Sequence, residues 1–390
     1  HGCYSDCHQQ NKQMLIKAVD NAAAIGAEMF MVDAGWFGSE KGDWYTQRGD
    51  WYETPSLKGG LKDVFDYAHK KGMMCGLWME AEGCDLSSEL VKAHPEWLIQ
   101  AYGRKMPTLN LLIPEVREYV YNSICGVIDK YNLDLFRIDG GLKEPSERYT
   151  ESGYEGTSWE YYEYLYGIIE KVRKKYPSLY FENCSGGGGR SDLGIMSRFD
   201  WMQATDLFAP ITQLRVIYGL SRAMCPEQLL SIPALVHNGD PDLLARTTIF
   251  GHIETTDIAD NYLRMNPVAK AAWLKAIDLY KKQIRPIIDT CNVYHHTPFE
   301  DYTKRGEWLV LEYASKDKSK SIVGAFRLED ANESEYVVKP RGISCEGEYE
   351  AYLDNTGDKF TVSGYELNQK GFTVKLSGKT TSEIAVFTRK

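Results

Sequence analysis

The segment from Leu61 to Glu80, LKDVFDYAHKKGMMCGLWME, decides the fold of this chain. Its first half places apolar residues at helical spacing, and Gly72 ends the predicted helix, as glycine commonly does just past a helix C-terminus. Its second half is an unbroken apolar run that leads to an acidic residue, Glu80. A short apolar run without polar alternation indicates a strand that is buried on both faces of a parallel sheet. The segment therefore predicts one helix–strand unit of an α/β protein.

The same unit recurs along the chain. A predicted helix over residues 11–25 precedes a strand that leads to Asp33, and a helix opened by Pro114 precedes a strand that leads to Asp139. Candidate strands end near residues 33, 80, 139, 183, 205, 235 and 254. This alternation predicts a (β/α)8 TIM barrel, in which the active site lies at the carboxyl ends of the strands. A doubly wound sheet is the alternative, but the G-x-G-x-x-G turn typical of that fold is absent.

We predict two domains that divide near residue 290. Residues 1–290 form the catalytic barrel, but they offer seven candidate strands and begin with a loop and a helix. The first barrel strand is therefore expected to be missing, and the chain to be part of a longer polypeptide. Residues 291–390 predict an antiparallel β-sandwich, because short strands alternate there with Gly, Asn, Asp and Lys turns. The strands predicted in this region are 308–312, 321–326, 348–352, 360–362, 372–376 and 382–387.

Composition narrows the classes of function. With 45 Lys and Arg against 55 Asp and Glu, the net charge is −10, unlike the basic face of a nucleic-acid binder. The sequence contains no run of about 18 apolar residues, so it does not predict a membrane-spanning helix. Nine widely spaced cysteines do not suggest a disulfide scaffold. Cys3 and Cys7 lack a second pair at zinc-site spacing, so we expect no metal. The opening HGCYSDCHQQ has no signal-peptide pattern, and both a cytoplasmic and a secreted location stay open.

Acidic residues at strand ends suit glycoside hydrolysis, in which one carboxylate attacks the anomeric carbon and another protonates the leaving oxygen. The candidates by position are Asp33, Glu80, Glu82, Asp139, Asp192, Asp200 and Asp206. Arg137 would keep Asp139 ionised as a nucleophile, whereas a helix N-cap or a salt bridge to Arg137 is the alternative role of Asp139. The segment ENCSGGGGR at 182–190 lets the backbone approach a ligand, or forms a flexible turn. It lacks the Gly-Lys-Ser/Thr ending of a Walker phosphate loop.

Several motifs, in order, resemble glycoside hydrolase family 36, the microbial α-galactosidases. They are DAGWFG at 33–38, RGDW at 48–51, GLWMEAE at 76–82, HPEWL at 94–98, CSGGGGR at 184–190 and the run through Asp192, Gly194 and Asp206. The resemblance extends over nearly the whole chain, including the C-terminal sandwich. It implies a β-sandwich before the barrel, with the first barrel strand just ahead of His1, in agreement with the strand count.

The resemblance implies roles for individual residues. Asp139 would be the nucleophile, and Asp206, which lies 22 residues after Cys184, would be the acid/base. The substrate-binding residues would be Asp33, Trp36, Trp51, Trp78, Arg137, Cys184, Gly187 and Arg190. Among these, Asp33 would hold O4 or O6 of the sugar and Trp51 would pack against the ring. Neither a metal nor an organic cofactor is implied.

Three departures from the family pattern alter the sugar-binding shell. The family usually has two adjacent Asp residues where this chain has Asp33 and Ala34. It has Lys-Trp-Asp in place of Arg137-Ile138-Asp139, and Trp-Thr-Ser-Asp in place of Gln203-Ala204-Thr205-Asp206. Arg and Lys are not equivalent at a sugar hydroxyl, and the loss of a hydroxyl clamp is costly in such a pocket. The departures leave the reaction type intact and put the substrate in question.

We therefore expect a retaining, exo-acting glycoside hydrolase that releases terminal α-linked galacto-configured sugars. An α-galactosidase, an α-N-acetylgalactosaminidase and an α-galactosaminidase stay open, as does a transglycosylase resembling raffinose synthase. A carbohydrate-binding protein without hydrolysis is disfavoured, because both Asp139 and Asp206 are retained. The expected partners are α-galactoside or α-galactosaminide oligosaccharides or glycoconjugates, with a homo-oligomer implied by resemblance. We expect neither nucleic acid nor a membrane as a partner.

Overall fold

A computed structural model describes residues 10–39, 44–101, 103–140, 147–150, 153–156, 158–232, 239–255, 265–301 and 303–390. Cys3 and Cys7 lie outside these residues. The chain divides into two compact units. The first covers His1–Asp206 with Thr255–Arg264, and the second covers Leu207–Glu254 with Met265–Lys390. The domain division near residue 290 stays a prediction.

The first unit alternates helices and strands as predicted. Its strands are β1 (Met29–Val32), β2 (Met74–Met79), β3 (Leu98–Ala101), β4 (Arg104–Leu109), β5 (Leu135–Ile138), β6 (Glu147–Thr150), β7 (Gly153–Gly156), β8 (Tyr180–Asn183) and β9 (Trp201–Gln203). Its helices are α1 (Lys12–Ala24), α2 (Leu61–Lys70), α3 (Glu89–Ala93), α4 (Pro114–Tyr131), α5 (Ser158–Lys175), α6 (Ser185–Gly188) and α7 (Leu193–Met196), with 3-10 turns at Trp44–Gln47 and Pro95–Trp97.

Five strands of the first unit form a parallel arrangement in the order β1-β2-β5-β8-β9. The segment that opened the sequence analysis provides α2 and β2, and α2 buries the four apolar residues that predicted it, Leu61, Val64, Phe65 and Ala68. Because the strands run parallel, their carboxyl ends and the residues that follow them meet at one edge. Two antiparallel hairpins, β3–β4 and β6–β7, interrupt the alternation and were not predicted.

The second unit begins with two short parallel strands and continues into antiparallel sheet. Its strands are β10 (Leu229–Ser231), β11 (His252–Ile253), β12 (Asn292–His295), β13 (Trp308–Ala314), β14 (Lys320–Arg327), β15 (Glu335–Val338), β16 (Glu348–Leu353), β17 (Lys359–Ser363), β18 (Phe372–Lys375) and β19 (Thr381–Arg389). Its helices are α8 (Pro210–Leu220), α9 (Pro241–Arg246), α10 (Pro267–Leu279) and α11 (Gly364–Gln369), with a 3-10 turn at Pro226–Gln228 and a π-turn at Tyr280–Ile284.

The six predicted strands of the C-terminal region are present as β13, β14, β16, β17, β18 and β19. A six-stranded sheet has the order β12-β13-β14-β19-β16-β17, and β15 pairs with β18 in a second sheet. Their shared core includes Val310, Tyr349 and Phe387, none of which is exposed. This is the packing of an antiparallel sandwich. Among the helices that the structure describes, none is long and apolar enough to cross a membrane.

Candidate active site

Two carboxylates flank the glycine-rich loop at the carboxyl edge of the parallel strands. Asp139 follows β5 directly, the loop that contains Gly186 and Gly187 follows β8, and Asp206 follows β9. Since β8 lies between β5 and β9, the loop stands between the two carboxylates. The backbone N–H of Gly186 donates to Oδ1 of Asp139 at 2.8 Å. The next residue, Gly187, packs against Asp206.

The environment of Asp139 favours its ionised form. Oδ1 also accepts from the Gly140 N–H at 2.6 Å, and Oδ2 accepts from Nε1 of Trp78 at 2.9 Å. Burial alone would raise the pKa of Asp139, but the Arg137 charge and the three hydrogen bonds hold this pKa below its ordinary value. A carboxylate of this kind is suited to nucleophilic attack.

The environment of Asp206 acts in the opposite direction. Its side chain is open to solvent, yet partial burial of the carboxyl and the nearby Asp139 charge raise the pKa of Asp206. Oδ1 of Asp206 accepts from Nε2 of Gln203 at 2.5 Å. Two neighbouring carboxyls whose pKa values are displaced in opposite directions form the usual pairing of a nucleophile with an acid/base.

The close approach of the loop requires glycine. Gly187 has a φ of +74°, and a Cβ there would lie 2.5 Å from the backbone N and 2.6 Å from Cγ of Asp206. Gly188 has a φ of +90°, and its Cβ would lie 2.4 Å from the Ala204 carbonyl oxygen. Both backbone conformations favour glycine, and both contacts leave no room for a methyl group. These two glycines therefore seat the loop against the end of β9.

Arg137 joins three strands on the face that bears the carboxylates. It lies opposite Glu182 in the register of β5 and β8. Its guanidinium donates to Oε1 of Glu182 and to Oε1 of Gln203, while Oε2 of Glu182 accepts from Nε1 of Trp201 at 3.0 Å. Arg137 is 1% exposed, so its charge acts in a poorly solvated environment. The positive charge of Arg137 lies beside Asp139, and the Glu182 carboxylate compensates this charge from the neighbouring strand β8.

Aromatic side chains form one wall of the site. Trp51 is partly exposed and stacks on Trp36, with ring centroids 6.2 Å apart. Trp36 is fully buried, and its Nε1 donates to the carbonyl oxygen of Trp78 at 2.8 Å. Phe37 stacks on Trp78 at 5.7 Å. The wall therefore holds Trp78, and with it the hydrogen bond to Asp139, in a fixed position.

Two buried ion pairs support the loops around the site. Arg190 donates to both carboxylate oxygens of Glu82, at 2.7 and 2.9 Å, and Tyr161 donates to the same carboxylate. Arg48 donates to Oε1 of Glu80 at 2.8 Å. These pairs tie the glycine-rich loop and the segment after β1 to the end of β2. Glu80 and Glu82, which position alone made candidates for catalysis, are thus paired with arginines.

The ten predicted site residues fall into two groups. Solvent reaches Asp139, Asp206, Trp51 and Gly187. The other six are 3% exposed or less: Asp33, Trp36, Trp78, Arg137, Cys184 and Arg190. Burial raises the pKa of Asp33, and the Cys184 Sγ accepts from the Gly187 N–H at 3.4 Å. A direct sugar contact for the six stays a prediction, because their side chains are buried in this structure.

Sequence reasoning assigned no role in the site to Glu182 or to Gln203, although Gln203 stood among the departures from the family pattern. Both are polar residues that stand within short, buried strands, at 1% and 0% exposure. A polar residue on the inner face of such a strand is the signal that could have identified them.

Elsewhere, among the described residues, the side chains of His69, Cys75 and Asp134 place potential metal-ligating atoms within 4.8 Å of one another. Oδ2 of Asp134 already accepts from His69 and from the Cys75 N–H, each at 2.8 Å. These hydrogen bonds account for the cluster. The expectation that no metal is required stays a prediction.

Comparison with known proteins identifies the family of the chain. The melibiase family model matches residues 3–285, and the model of the glycosyl hydrolase family 36 C-terminal domain matches residues 308–387. The bifunctional α-galactosidase/sucrose kinase AgaSK of Mediterraneibacter gnavus is 28% identical over 355 residues, which cover 86% of this chain and 36% of AgaSK. α-Galactosidase Mel36A of Lactobacillus acidophilus is 33% identical over 230 residues, which cover 57% of this chain and 31% of Mel36A.

Solved structures share the fold. The galactosidase domain of AgaSK superposes with a TM-score of 0.83 at 25% identity, over 97% of this chain and 52% of that one. α-Galactosidase AgaA from Geobacillus stearothermophilus, in complex with raffinose, gives a TM-score of 0.84 at 22% identity, over 97% of this chain and 54% of that one. The chain thus spans about half the length of these solved relatives, and about a third of AgaSK and Mel36A.

These matches confirm the predicted fold class, a (β/α)8 barrel followed by an antiparallel sandwich. The fold and the two matching family models place the chain among the glycoside hydrolase families. The chain belongs to the melibiase family, glycoside hydrolase family 36, as its motifs indicated.

Proposed function

We propose that this chain carries the catalytic site of a retaining, exo-acting α-galactosidase that acts on α-galactoside oligosaccharides. The observation that carries the proposal is the glycine-rich loop between two carboxylates of opposite character. Gly186 donates to Asp139, whose pKa is lowered, and Gly187 packs against Asp206, whose pKa is raised. The relatives AgaSK, Mel36A and AgaA are named α-galactosidases, and AgaA has been crystallised with raffinose.

The reaction proceeds in two displacements. A carboxylate oxygen of Asp139 attacks the anomeric carbon, while Asp206 gives its proton to the glycosidic oxygen and the leaving alcohol departs. Asp206, now ionised, takes a proton from water, and the resulting hydroxide oxygen bonds to the anomeric carbon as the bond to Asp139 breaks. The sugar is released with its anomeric configuration retained. The steps use side chains of this chain and water.

The remaining residues assist these two. Trp51, the accessible member of the aromatic wall, packs against the sugar ring, and Gly187 lets the ring approach the loop backbone. Asp33, Trp36, Trp78, Arg137, Cys184 and Arg190 act mainly by positioning the groups that touch substrate. Trp78 does so through its hydrogen bond to Asp139. Arg137 does so through its charge, which lowers the pKa of Asp139.

The nucleophile assignment is tested with Asp139→Ala and azide. We expect the variant to lose hydrolysis of aryl α-galactosides, and azide to restore turnover with a β-galactosyl azide as product. Asp200→Ala is the control, because the sequence made Asp200 a candidate but the structure places it before β9, at the amino end of the strand, where it pairs with Arg173. Equal activity of wild type and Asp139→Ala would refute the assignment of Asp139 as the nucleophile.

The sugar specificity is tested with aryl α-glycosides of galactose, N-acetylgalactosamine, galactosamine and glucose. We expect the galactoside to have the highest kcat/KM. A higher value for either amino sugar would replace the proposed substrate while leaving the mechanism in place. Product analysis with and without an added acceptor sugar separates hydrolysis from transglycosylation, since water and the acceptor compete for one intermediate.

A further inference from the structure

Gln203 is a buried amide that touches both halves of the catalytic site. It ends β9, is not exposed to solvent, and was not among the residues expected to act in the reaction. Its Oε1 accepts from the Arg137 guanidinium, and its Nε2 donates to Oδ1 of Asp206 at 2.5 Å. A side chain with both ends engaged in this way links the charge beside the nucleophile to the acid/base.

The orientation of the Gln203 amide follows from the chemistry of its neighbours. A guanidinium donates hydrogen bonds and accepts none, so the amide oxygen must face Arg137. The amide nitrogen must then face Asp206 and can only donate to it. The same nitrogen, Nε2, also donates to the Thr205 carbonyl oxygen, with 3.5 Å between the nitrogen and the oxygen. Arg137 is itself held by Glu182, so the amide cannot rotate without breaking this network.

We propose that Gln203 is the positioning residue of the acid/base, because its amide N–H occupies Oδ1 of Asp206 and leaves Oδ2 as the oxygen that carries the transferable proton. The inference rests on the proposed function. Burial and the Asp139 charge raise the pKa of Asp206, and the hydrogen bond from Gln203 lowers this pKa. Gln203 therefore also sets how readily the proton leaves.

The proton then follows one path through the reaction. The Oδ2–H bond of Asp206 breaks as the proton moves to the glycosidic oxygen, and the C–O bond electrons leave with the alcohol. Asp206 is then a carboxylate, and its charge strengthens the hydrogen bond from Gln203. In the second displacement Oδ2 takes a proton from water, whose oxygen bonds to the anomeric carbon while the bond to Asp139 breaks.

The test compares two leaving groups in Gln203→Met and Gln203→Glu, made in the full chain. 4-Nitrophenoxide leaves with little help from an acid, whereas the sugar alcohol of raffinose requires protonation. General acid catalysis contributes about 100- to 10,000-fold, so partial misplacement of the acid should reduce kcat/KM for raffinose by roughly 10- to 100-fold. We expect a loss of less than about threefold for 4-nitrophenyl α-galactoside, on which the acid contributes little.

The pH profile provides a second readout. The basic limb of kcat/KM reports the pKa of the acid in the free enzyme. Gln203→Met removes the hydrogen bond that lowers the pKa of Asp206, so we expect the limb to move up by about one pH unit. Gln203→Glu keeps an acceptor for Arg137 but adds a negative charge beside Asp206, so its limb should move further. A purely structural role would give neither the shift nor this order.

Gln213→Met is the matched control, because Gln213 is a buried glutamine in α8, 1% exposed, that donates to the Leu207 carbonyl oxygen and accepts from the Ile232 N–H. It should lower thermal stability without altering the ratio of activities on the two substrates. Equal losses on both substrates in both Gln203 variants, with an unmoved basic limb, would overturn the inference. A wild-type chain that cleaves neither substrate would instead overturn the proposed function. If Gln203→Met fails to fold, Gln203→Glu carries the same comparison.

Discussion

The sharpest prediction concerns Gly187→Ala, because the structure offers a control with the same backbone conformation. Gly187 and Gly59 both have a φ of +74°. An alanine at Gly59 meets no described atom within 4 Å, whereas an alanine at Gly187 places its Cβ 2.5 Å from the backbone N of Asp206. The two variants share the cost of a left-handed alanine, about 1–2 kcal/mol, and differ in the clash with Asp206.

The magnitude follows from the geometry. An ordinary Cβ contact begins at 3.4 Å, so the loop and Asp206 must move apart by about 0.9 Å, the difference between 3.4 and 2.5 Å. Misplacement of a catalytic group by about 1 Å costs on the order of 100-fold in rate. We therefore expect Gly187→Ala to lower kcat/KM for raffinose by about 100-fold. Gly59→Ala should stay within about twofold of wild type, since it leaves every catalytic contact in place.

The assay is kcat/KM for raffinose in wild type and both variants, with thermal unfolding measured in parallel. Both variants should lose stability, Gly187→Ala more because of its clash with Asp206, and only Gly187→Ala should lose activity. Wild-type activity in Gly187→Ala would refute the claim that the glycine at this position sets the location of Asp206. Equal activity losses in the two variants would attribute the effect to backbone strain instead.

Three further outcomes are expected. Asp139 must be ionised and Asp206 protonated in the first step. We therefore expect kcat/KM to fall at pH values below the ordinary pKa of Asp, about 3.9, and to fall again as pH rises through the raised pKa of Asp206. A pH–rate profile without a basic limb would contradict this assignment. Glu82→Gln removes the carboxylate charge that pairs with the buried Arg190 and should lower the free energy of unfolding by about 3–5 kcal/mol in denaturant titrations. Arg246→Met removes a buried partner of Asp354 in the second unit, but Lys275 still pairs with that carboxylate, so the loss should lie below this range. The exposed Arg305→Met should change the free energy of unfolding by less than about 1 kcal/mol.

The parallel strands were predictable because the residues that indicate each strand lie next to one another in the sequence. Around β5, Asn132 in the left-handed conformation ends α4, and Leu135–Ile138 forms the strand that leads to Asp139. The apolar pattern, the helix stop and the terminal Asp139 all lie within one short segment. Local signals of this kind survive without knowledge of the tertiary fold.

The strands that were missed depend on their partners. β12, which the sequence assigned to the domain junction, is only partly buried and pairs with β13 across a loop. β15 mixes exposed and buried residues and pairs with β18, more than 30 residues away in sequence. Such short edge strands carry little pattern of their own, so their pairing decides their conformation.

The site was predictable to the same extent. Strand ends gave seven acidic candidates, since a barrel brings its strand ends together, and the resemblance to family 36 singled out Asp139 and Asp206 among them. The network of Arg137, Glu182 and Gln203 was not predictable, because it joins residues 45 and 66 positions apart through contacts on the inner face. Only the register between β5 and β8 places Arg137 opposite Glu182.

The network also changes the meaning of the departures from the family pattern. Arg137 and Gln203 stand where the family usually has Lys and Trp, and the structure shows them bonded to each other. An indole N–H donates and cannot accept, so a tryptophan at position 203 would deprive the buried Arg137 of one acceptor. The two departures therefore depend on each other, and together they keep a positive charge beside Asp139.

The departure at Ala34 is independent of these two. Ala34 is buried, and its carbonyl oxygen accepts from Gln10 at 2.6 Å. Since the change at Ala34 alone removes a charged group from the shell, we expect any difference in sugar recognition to arise there rather than at the catalytic carboxylates.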